Sequence, residues 1–396
     1  MALLVGGALL LTAACGDDKA ADKPAGGDAV ATAGDTAGAN AQGTSSPKNS
    51  AAVLSVEPKD GAQDVSPTNA LKVAVANGKL ASVEVTDKDG KPVAGEMTPD
   101  GTGWAPSGPL AVGMVYKVNA QAKDAEGLVA ASTTSFTTLT PEKKVSTNDN
   151  IADNGTYGVG MIVSVEFNKD IKNKDAVAKG ITFETDNGTV VKGHWFGARR
   201  IDFRPADYWK SGTKVTIHYR LKNVEVSPGV YGDVEKDEPF TIGRSQVSTA
   251  DAASHMMTVV RDGVTSTIPV TLGADATPSW GGTMVVMSKE KVTHMNSQTV
   301  GLGGEYDIDD VPHAMRLTRS GTYVHGNYWA NPFGKSNGSH GCIAMQDTKG
   351  GSDASVAGKF FNGSMIGDVM KVVNTKEKTV APDNGLGGWN LPWANW

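Results

Sequence analysis

The chain has 396 residues, enough for about two or three domains at roughly 150 residues each. Its 37 Lys and Arg against 43 Asp and Glu give a net charge of −6, and no basic cluster exceeds the pairs Lys143-Lys144 and Arg199-Arg200, so a nucleic-acid partner is disfavoured. The 48 glycines and 18 prolines together are about a sixth of the chain, above the usual ~12%, which argues against a helical bundle.

Residues 1–15 read as an export signal: an apolar run, Met1 to Leu11, leads into Thr12-Ala13-Ala14-Cys15. The run is shorter than the roughly 20 residues a membrane span needs. Small residues before Cys15 are similar to a bacterial lipobox, in which the cysteine carries a lipid. Residues 16–50 hold nine Ala, six Gly, no aromatic residue and a single large aliphatic, Val30. Such a segment cannot bury enough surface to offset its ordering entropy, and it is expected to be a tether of roughly 30 Å rms length.

Two blocks of short alternating strands follow. In 51–140, Leu71, Val73 and Val75 alternate, as do Met114, Tyr116 and Val118; in 141–245, Val215, Ile217, Tyr219 and Leu221 do the same. Each block has a strand opening after a glycine (Gly113, Gly212) and closes on Phe-Thr (Phe136-Thr137, Phe240-Thr241). The pattern predicts tandem immunoglobulin-like β-sandwiches, acting as a spacer or a binding module. A third β-rich block, 246–375, carries an Asp262-Gly263 hairpin signal and a short helix within Asp353–Phe361. The remaining 376–396 contain Trp389, Trp393 and Trp396, an aromatic load that predicts docking on a neighbouring domain. The fold class is mainly β with few short helices.

Only Cys15 and Cys342 are present. With Cys15 lipidated, Cys342 is an unpaired thiol in an exported protein, which flags it as reactive. A free thiol is only a few per cent ionised at pH 7 and needs a base or a helix N-terminus to become a nucleophile. His325, at the end of the apolar run Tyr323-Val324-His325, is the favoured base; His340, two residues before Cys342, is expected to fix the loop. Gly338 and Gly341 permit amide groups to converge on one point, and the segment after Cys342 is expected to start a helix. A zinc site is the rival use of Cys plus two His, although a fourth spaced ligand is lacking.

His325-x16-Cys342 with Ser339-His340-Gly341-Cys342 resembles the active-site signature of the actinobacterial L,D-transpeptidases, enzymes of peptidoglycan synthesis, cell-wall biogenesis and cell shape. The likeness extends to Gly304-Glu305-Tyr306-Asp307, to Val311 through Thr318, to Trp329, to Gly385 through Trp393, and to the layout of lipobox, tether, two immunoglobulin-like domains, catalytic domain and Trp-rich tail. The resemblance implies that Cys342 is acylated and that His325 is its base, oriented by the carbonyl of Gly326 where several relatives have Ser. It implies an oxyanion site at the amides of Gly341 and Cys342 and the hydroxyl of Tyr306. Substrate contacts are implied at Tyr306, Ser320, Gly321, Met287, Trp329, Ser339 and His340. Ala344 stands where relatives often carry Asn.

The implied reaction releases D-Ala from a tetrapeptide stem and passes the acyl group to a second stem, giving a 3→3 cross-link without metal or cofactor. Peptidoglycan donor and acceptor stems, carbapenem-type β-lactams and a membrane reached through Cys15 are the implied partners, at an extracytoplasmic, lipid-anchored location. Three alternatives use the same features. They are an L,D-carboxypeptidase that hands the acyl group to water, an enzyme that anchors an outer-membrane lipoprotein, and a non-enzymatic wall-binding lipoprotein.

Overall fold

The structure is a computed structural model that describes residues 48–300 and 303–396, with the backbone alone at 299 and 300. Cys15, the signal and nearly all of the tether lie outside the described residues.

Residues 53–138 form two facing four-stranded sheets. One orders Val53–Glu57, Lys72–Ala76, Gly103–Pro106 and Gly95–Met97; the other orders Ala62–Val65, Val129–Thr138, Val115–Lys123 and Lys79–Asp87. Period-two alternation sends Val73, Val75, Tyr116, Val118, Ala120 and Phe136 into one core, where Tyr116 stacks on Phe136 at 5.6 Å. Residues 147–242 repeat the plan. Thr147–Asp149, Val163–Phe167, Arg200–Pro205 and Val191–Phe196 face Gly155–Tyr157, Glu235–Ile242, Lys214–Arg220 and Ile181–Thr185. The Phe-Thr repeat has a structural counterpart. In each sandwich the strand bearing it pairs antiparallel with its long neighbour and parallel with an early short strand, so Phe136 lies beside Ala62 and Phe240 beside Gly155.

The third unit packs a five-stranded sheet (Val264–Pro269, Met256–Arg261, Gln246–Asp251, Val369–Val373, Gly282–Val285) on a four-stranded one (Ser288–Asn296, Asp307–Arg316, Tyr323–Asn327, Ile343–Gln346). Asp262 and Gly263 make the hairpin turn with φ of 47° and 83°, as a primed two-residue turn requires. The helix runs Val356–Gly363, later than the sequence suggests, because Ser355 caps it by accepting from the Gly358 amide at 2.9 Å.

The second sandwich and the third unit share one apolar cluster that includes Ile162, Val163, Val285, Val369 and Leu386. The amides of Gly158 and Gly160 donate to Ile366 and Gly367 carbonyls at 2.7 and 2.8 Å, and a Cβ on Gly158 would meet the Asp368 amide at 2.4 Å. The C-terminal segment lies on the second sandwich. Trp389 Nε1 donates to Gly160 O at 2.7 Å and Trp396 Nε1 to Lys192 O at 2.8 Å. The Arg204 guanidinium sits 4.7, 5.3 and 4.3 Å from the rings of Trp389, Trp393 and Trp396.

Candidate active site

Two parallel strands place the reactive pair. Tyr323–Asn327 and Ile343–Gln346 run side by side with Val324 opposite Ile343 and His325 opposite Ala344, so Cys342 stands at the mouth of its strand, one position before pairing begins. A strand, not the expected helix, follows Cys342: the β-branched, apolar start Ile343-Ala344-Met345 is fully buried against Val324 and Met315. A helix dipole is therefore no source of thiolate here. Cys342 and His325 are both buried and both line one cavity of about 290 Å³, together with Tyr306, Asn327, Trp329 and Ser339.

The imidazole is fixed from two sides. Its Nδ1 lies 2.8 Å from the Gly326 carbonyl, and since a carbonyl only accepts, Nδ1 carries the hydrogen and Nε2 keeps its lone pair. Trp329 stacks on the ring at 5.9 Å and 15°. The Cys342 thiol donates to Gly321 O at 3.8 Å. Burial pushes that thiol up to about 11, and burial likewise lowers the imidazole of His325 from its ordinary value. The resting pair is thus a neutral thiol and a neutral imidazole lining one cavity.

The loop before Cys342 is tied down residue by residue. Asn337 accepts from the Leu272 amide at 3.1 Å and donates to Ala252 O at 2.8 Å; Gly338 and Ser339 amides both reach Leu272 O at 3.0 Å; Ser339 Oγ donates to Cys342 O at 2.5 Å. Gly341 has φ +99°, a conformation that favours glycine. Among the described residues, neither the Gly341 nor the Cys342 amide bonds a protein acceptor, so both remain available to a ligand. Among the described residues, His340 makes no hydrogen bond within this loop, where the sequence suggests one. It pairs with Glu305 at 3.3 Å, and its ring lies 5.3 Å from that of Tyr306.

A model of the bacterial Ig domain matches residues 62–225, and one of the L,D-transpeptidase catalytic domain matches residues 245–350. L,D-transpeptidase 2 of Mycobacterium tuberculosis (strain CDC 1551 / Oshkosh) is 31% identical over 351 residues, spanning 87% of this chain and 83% of the relative. The chain belongs to the L,D-transpeptidase family. L,D-transpeptidase 5 of Mycobacterium tuberculosis (strain ATCC 25618 / H37Rv) is 29% identical over 87% of this chain and 76% of its own length. Among solved structures, the L,D-transpeptidase LdtMt1 in complex with imipenem is similar over 59% of this chain and 100% of its own, with 29% identity and a TM-score of 0.49.

In this L,D-transpeptidase a second cavity of about 300 Å³ adjoins the first, sharing Tyr306 and His340 and lined further by Ser320, Gly321 and Gly341. Tyr306 ends the loop of the long hairpin Ser288–Asn296/Asp307–Arg316, where its backbone exchanges hydrogen bonds with Ser297. Burial, with the nearby Cys342 second, pushes its phenol up to about 12, so it carries its proton at neutral pH. Met287 lies elsewhere: its sulfur packs against Gly385 at the joint with the C-terminal segment, outside both cavity linings. Ala344 is fully buried and exchanges backbone bonds with Thr271, so it offers nothing to either cavity. Sequence reading missed Thr271, Trp280, Asn327 and Glu377. Of these, Asn327 alone had a signal, lying two positions after His325 on one strand face.

Proposed function

We propose that this L,D-transpeptidase forms 3→3 peptidoglycan cross-links through a Cys342 thioester, with His325 carrying each proton. The observation that supports this most directly is the Gly326 carbonyl at His325 Nδ1, which leaves Nε2 as the free base in the cavity that Cys342 lines. As the thiol sulfur attacks the carbonyl carbon between the third stem residue and the terminal D-Ala, its proton passes to Nε2. The carbonyl oxygen becomes an oxyanion, facing the Gly341 and Cys342 amides and the Tyr306 hydroxyl. Collapse breaks the C–N bond, and Nε2 returns the proton to the departing D-Ala amine. An amine of the second stem then attacks the thioester and gives its proton to Nε2, and that proton is restored to the leaving thiolate.

Transfer of the proton in concert with attack suits the neutral resting pair, which holds no thiolate exposed to oxidation. Ser320 and Gly321 in one cavity, Trp329 and Ser339 in the other, and His340, which lines both, are the proposed contacts to the stems. Carbapenem-type β-lactams are proposed to acylate Cys342. Lipidation of Cys15, with residues 16–50 as a tether, is proposed to hold the enzyme on the outer face of the cytoplasmic membrane. The two sandwiches (51–140 and 141–245) would then set the height of the catalytic unit (246–375) in the wall.

Incubation of the purified protein with disaccharide-tetrapeptide, followed by mass spectrometry, tests this. A thioester adduct on Cys342, lost in Cys342→Ala, together with a 3→3 dimer and free D-Ala, is the expected result. Tripeptide without dimer would assign hydrolysis instead, and the absence of any Cys342 adduct would sink acyl transfer altogether.

A further inference from the structure

Behind the reactive pair lies a second acid–base pair that the reaction above does not use. Asp347, whose side chain is 0% exposed, follows the strand that begins after Cys342, and His313, 3% exposed, sits in the strand Asp307–Arg316. His313 Nδ1 is 2.7 Å from Asp347 Oδ2, and its Nε2 is 3.3 Å from Asp353 Oδ1. The other oxygen of Asp347 accepts from the Thr348 and Ser352 amides at 2.8 and 3.0 Å; against the upward push of burial, His313 and these two amides hold its carboxyl below the usual range. Burying this group so completely is costly unless every lone pair is satisfied, and here each oxygen is. His313 also has φ +51° within a strand, a strained conformation for a non-glycine residue that persists only where its surroundings over-determine it.

What the pair touches gives the arrangement its meaning. A Cβ placed on Gly326 would lie 2.2 Å from Asp347 Oδ2, 2.7 Å from its Cβ and 2.9 Å from its Cγ. The carboxylate therefore occupies the space where residue 326, whose carbonyl holds His325, would carry a side chain. The Asp347 amide also donates to Asn327 O at 3.1 Å, and Asn327 Oδ1 in turn accepts from the Trp329 and Ala330 amides at 3.0 and 3.1 Å. Both supports of the imidazole, the Gly326 carbonyl at Nδ1 and the Trp329 ring against its face, thus connect to Asp347.

We propose that Asp347 and His313 are positioning residues for His325, acting through Gly326, and that Gly326 and Asp347 are a matched pair in which the missing side chain at one position makes room for the carboxylate at the other. The proposal rests on His325 being the base. It explains how this chain bears glycine beside that histidine: the space a serine would fill is taken by an aspartate braced by His313. Either the carboxylate or the side chain at 326 can fill the space, but not both.

The test uses the imidazole 15N signals of His325, assigned by their loss in His325→Gln, and the rate of Cys342 acylation by imipenem per titratable thiol. Wild-type protein should show His325 as the Nδ1–H tautomer alone. Gly326→Ala and Asp347→Ala should each show mixed tautomers and acylate at least tenfold more slowly per thiol. Asp347→Asn keeps the shape; with its oxygen left to the Thr348 and Ser352 amides, its NH2 faces His313 Nδ1, which accepts it when His313 is the Nε2–H tautomer donating to Asp353, so most of that loss should be recovered. A role confined to folding would lower the titratable fraction while leaving the tautomer and the per-thiol rate unchanged, and that result overturns the proposal. Should Asp347→Ala fail to fold, Gly326→Ala, which retains both members of the brace, decides alone. Wild-type acylation rates in His325→Gln would overturn the base assignment itself, a result distinguishable from failure of the brace.

Discussion

Asn384 of the C-terminal segment clasps Ser320 twice: its Oδ1 accepts from the Ser320 amide at 3.1 Å and its Nδ2 donates to Ser320 Oγ at 2.9 Å. Ser320 precedes Gly321, whose carbonyl accepts from the Cys342 thiol. The docked tail therefore reaches the lining of the cavity that adjoins the reactive one. Each partly exposed hydrogen bond is worth about 1 kcal/mol or less. Asn384→Ala should slow Cys342 acylation roughly three- to tenfold through a looser Gly321 turn, with Tm lowered by about 2 °C or less. An unchanged rate would detach the tail from the site.

The protonation states predict an unusual pH profile. Burial lowers His325 below its ordinary 6.5 and raises the Cys342 thiol to about 11. The base must be neutral to accept the thiol proton, so acylation fails only as pH falls through the lowered imidazole value. The rate per enzyme should be flat from about pH 6.5 to about pH 10. A thiolate–imidazolium resting pair gives the opposite alkaline behaviour, with the rate falling as the imidazolium deprotonates. Stopped-flow acylation across this range distinguishes the two.

Tyr306 offers the one side-chain hydroxyl proposed to face the oxyanion, and it keeps its proton because its phenol is raised to about 12. Removing one oxyanion donor costs about 10²–10³ in rate when that donor is fully engaged. Two backbone amides share this site, so Tyr306→Phe should lose about tenfold to a hundredfold in acylation while keeping its ring contact with His340. A loss below threefold, measured by single-turnover mass spectrometry, would leave Tyr306 as a wall of the cavity only.

The strands, the hairpin at Asp262-Gly263 and the linear motif around Cys342 were legible because each rests on local rules: period-two burial, positive-φ turn residues and a nucleophile flanked by glycines. The strand after Cys342 was not, because Ile343-Ala344-Met345 is a short apolar run that suits a buried strand or a helix equally until its neighbours are known. Met287, a contact implied by the resemblance alone, packs its sulfur against Gly385, nearly a hundred positions away in the chain. The His313–Asp347 brace left no trace at all in the sequence, since nothing local links a histidine in one strand to an aspartate 34 residues on.

Arg204 is 2% exposed, and burial pushes its guanidinium down to about 10. Besides the Pro205 and Ala206 carbonyls, it is met by the tail: three tryptophan faces and the Leu391 carbonyl at 2.7 Å. Removing residues 385–396 strips these away and exposes the apolar cluster beneath Leu386 and Trp389. Arg204 keeps the Pro205 and Ala206 carbonyls and gains water, so the cost is set by the lost apolar cover, about 1.5–3 kcal/mol for each large side chain no longer buried, and calorimetry should show Tm lowered by about 6 °C or more. An unchanged Tm would mean that the tail contributes nothing to stability.

The first sandwich has a core of its own, closed by Leu71, Trp104, Tyr116 and Phe136, and none of its residues lines either cavity at Cys342. The second sandwich differs: it shares an apolar cluster with the catalytic unit and receives the tail, so the two form one stability unit. Deleting 51–140 should therefore leave the rate of cross-linking on soluble muropeptides within about twofold of wild type. Extending the deletion to residue 245 should abolish soluble protein, because Val285, Val369 and Leu386 would lose their cover. In cells the first deletion should lower cross-linking in intact wall while activity on soluble substrate persists, as a spacer requires. A collapse of soluble activity on deleting 51–140 would instead assign the first sandwich a part in catalysis.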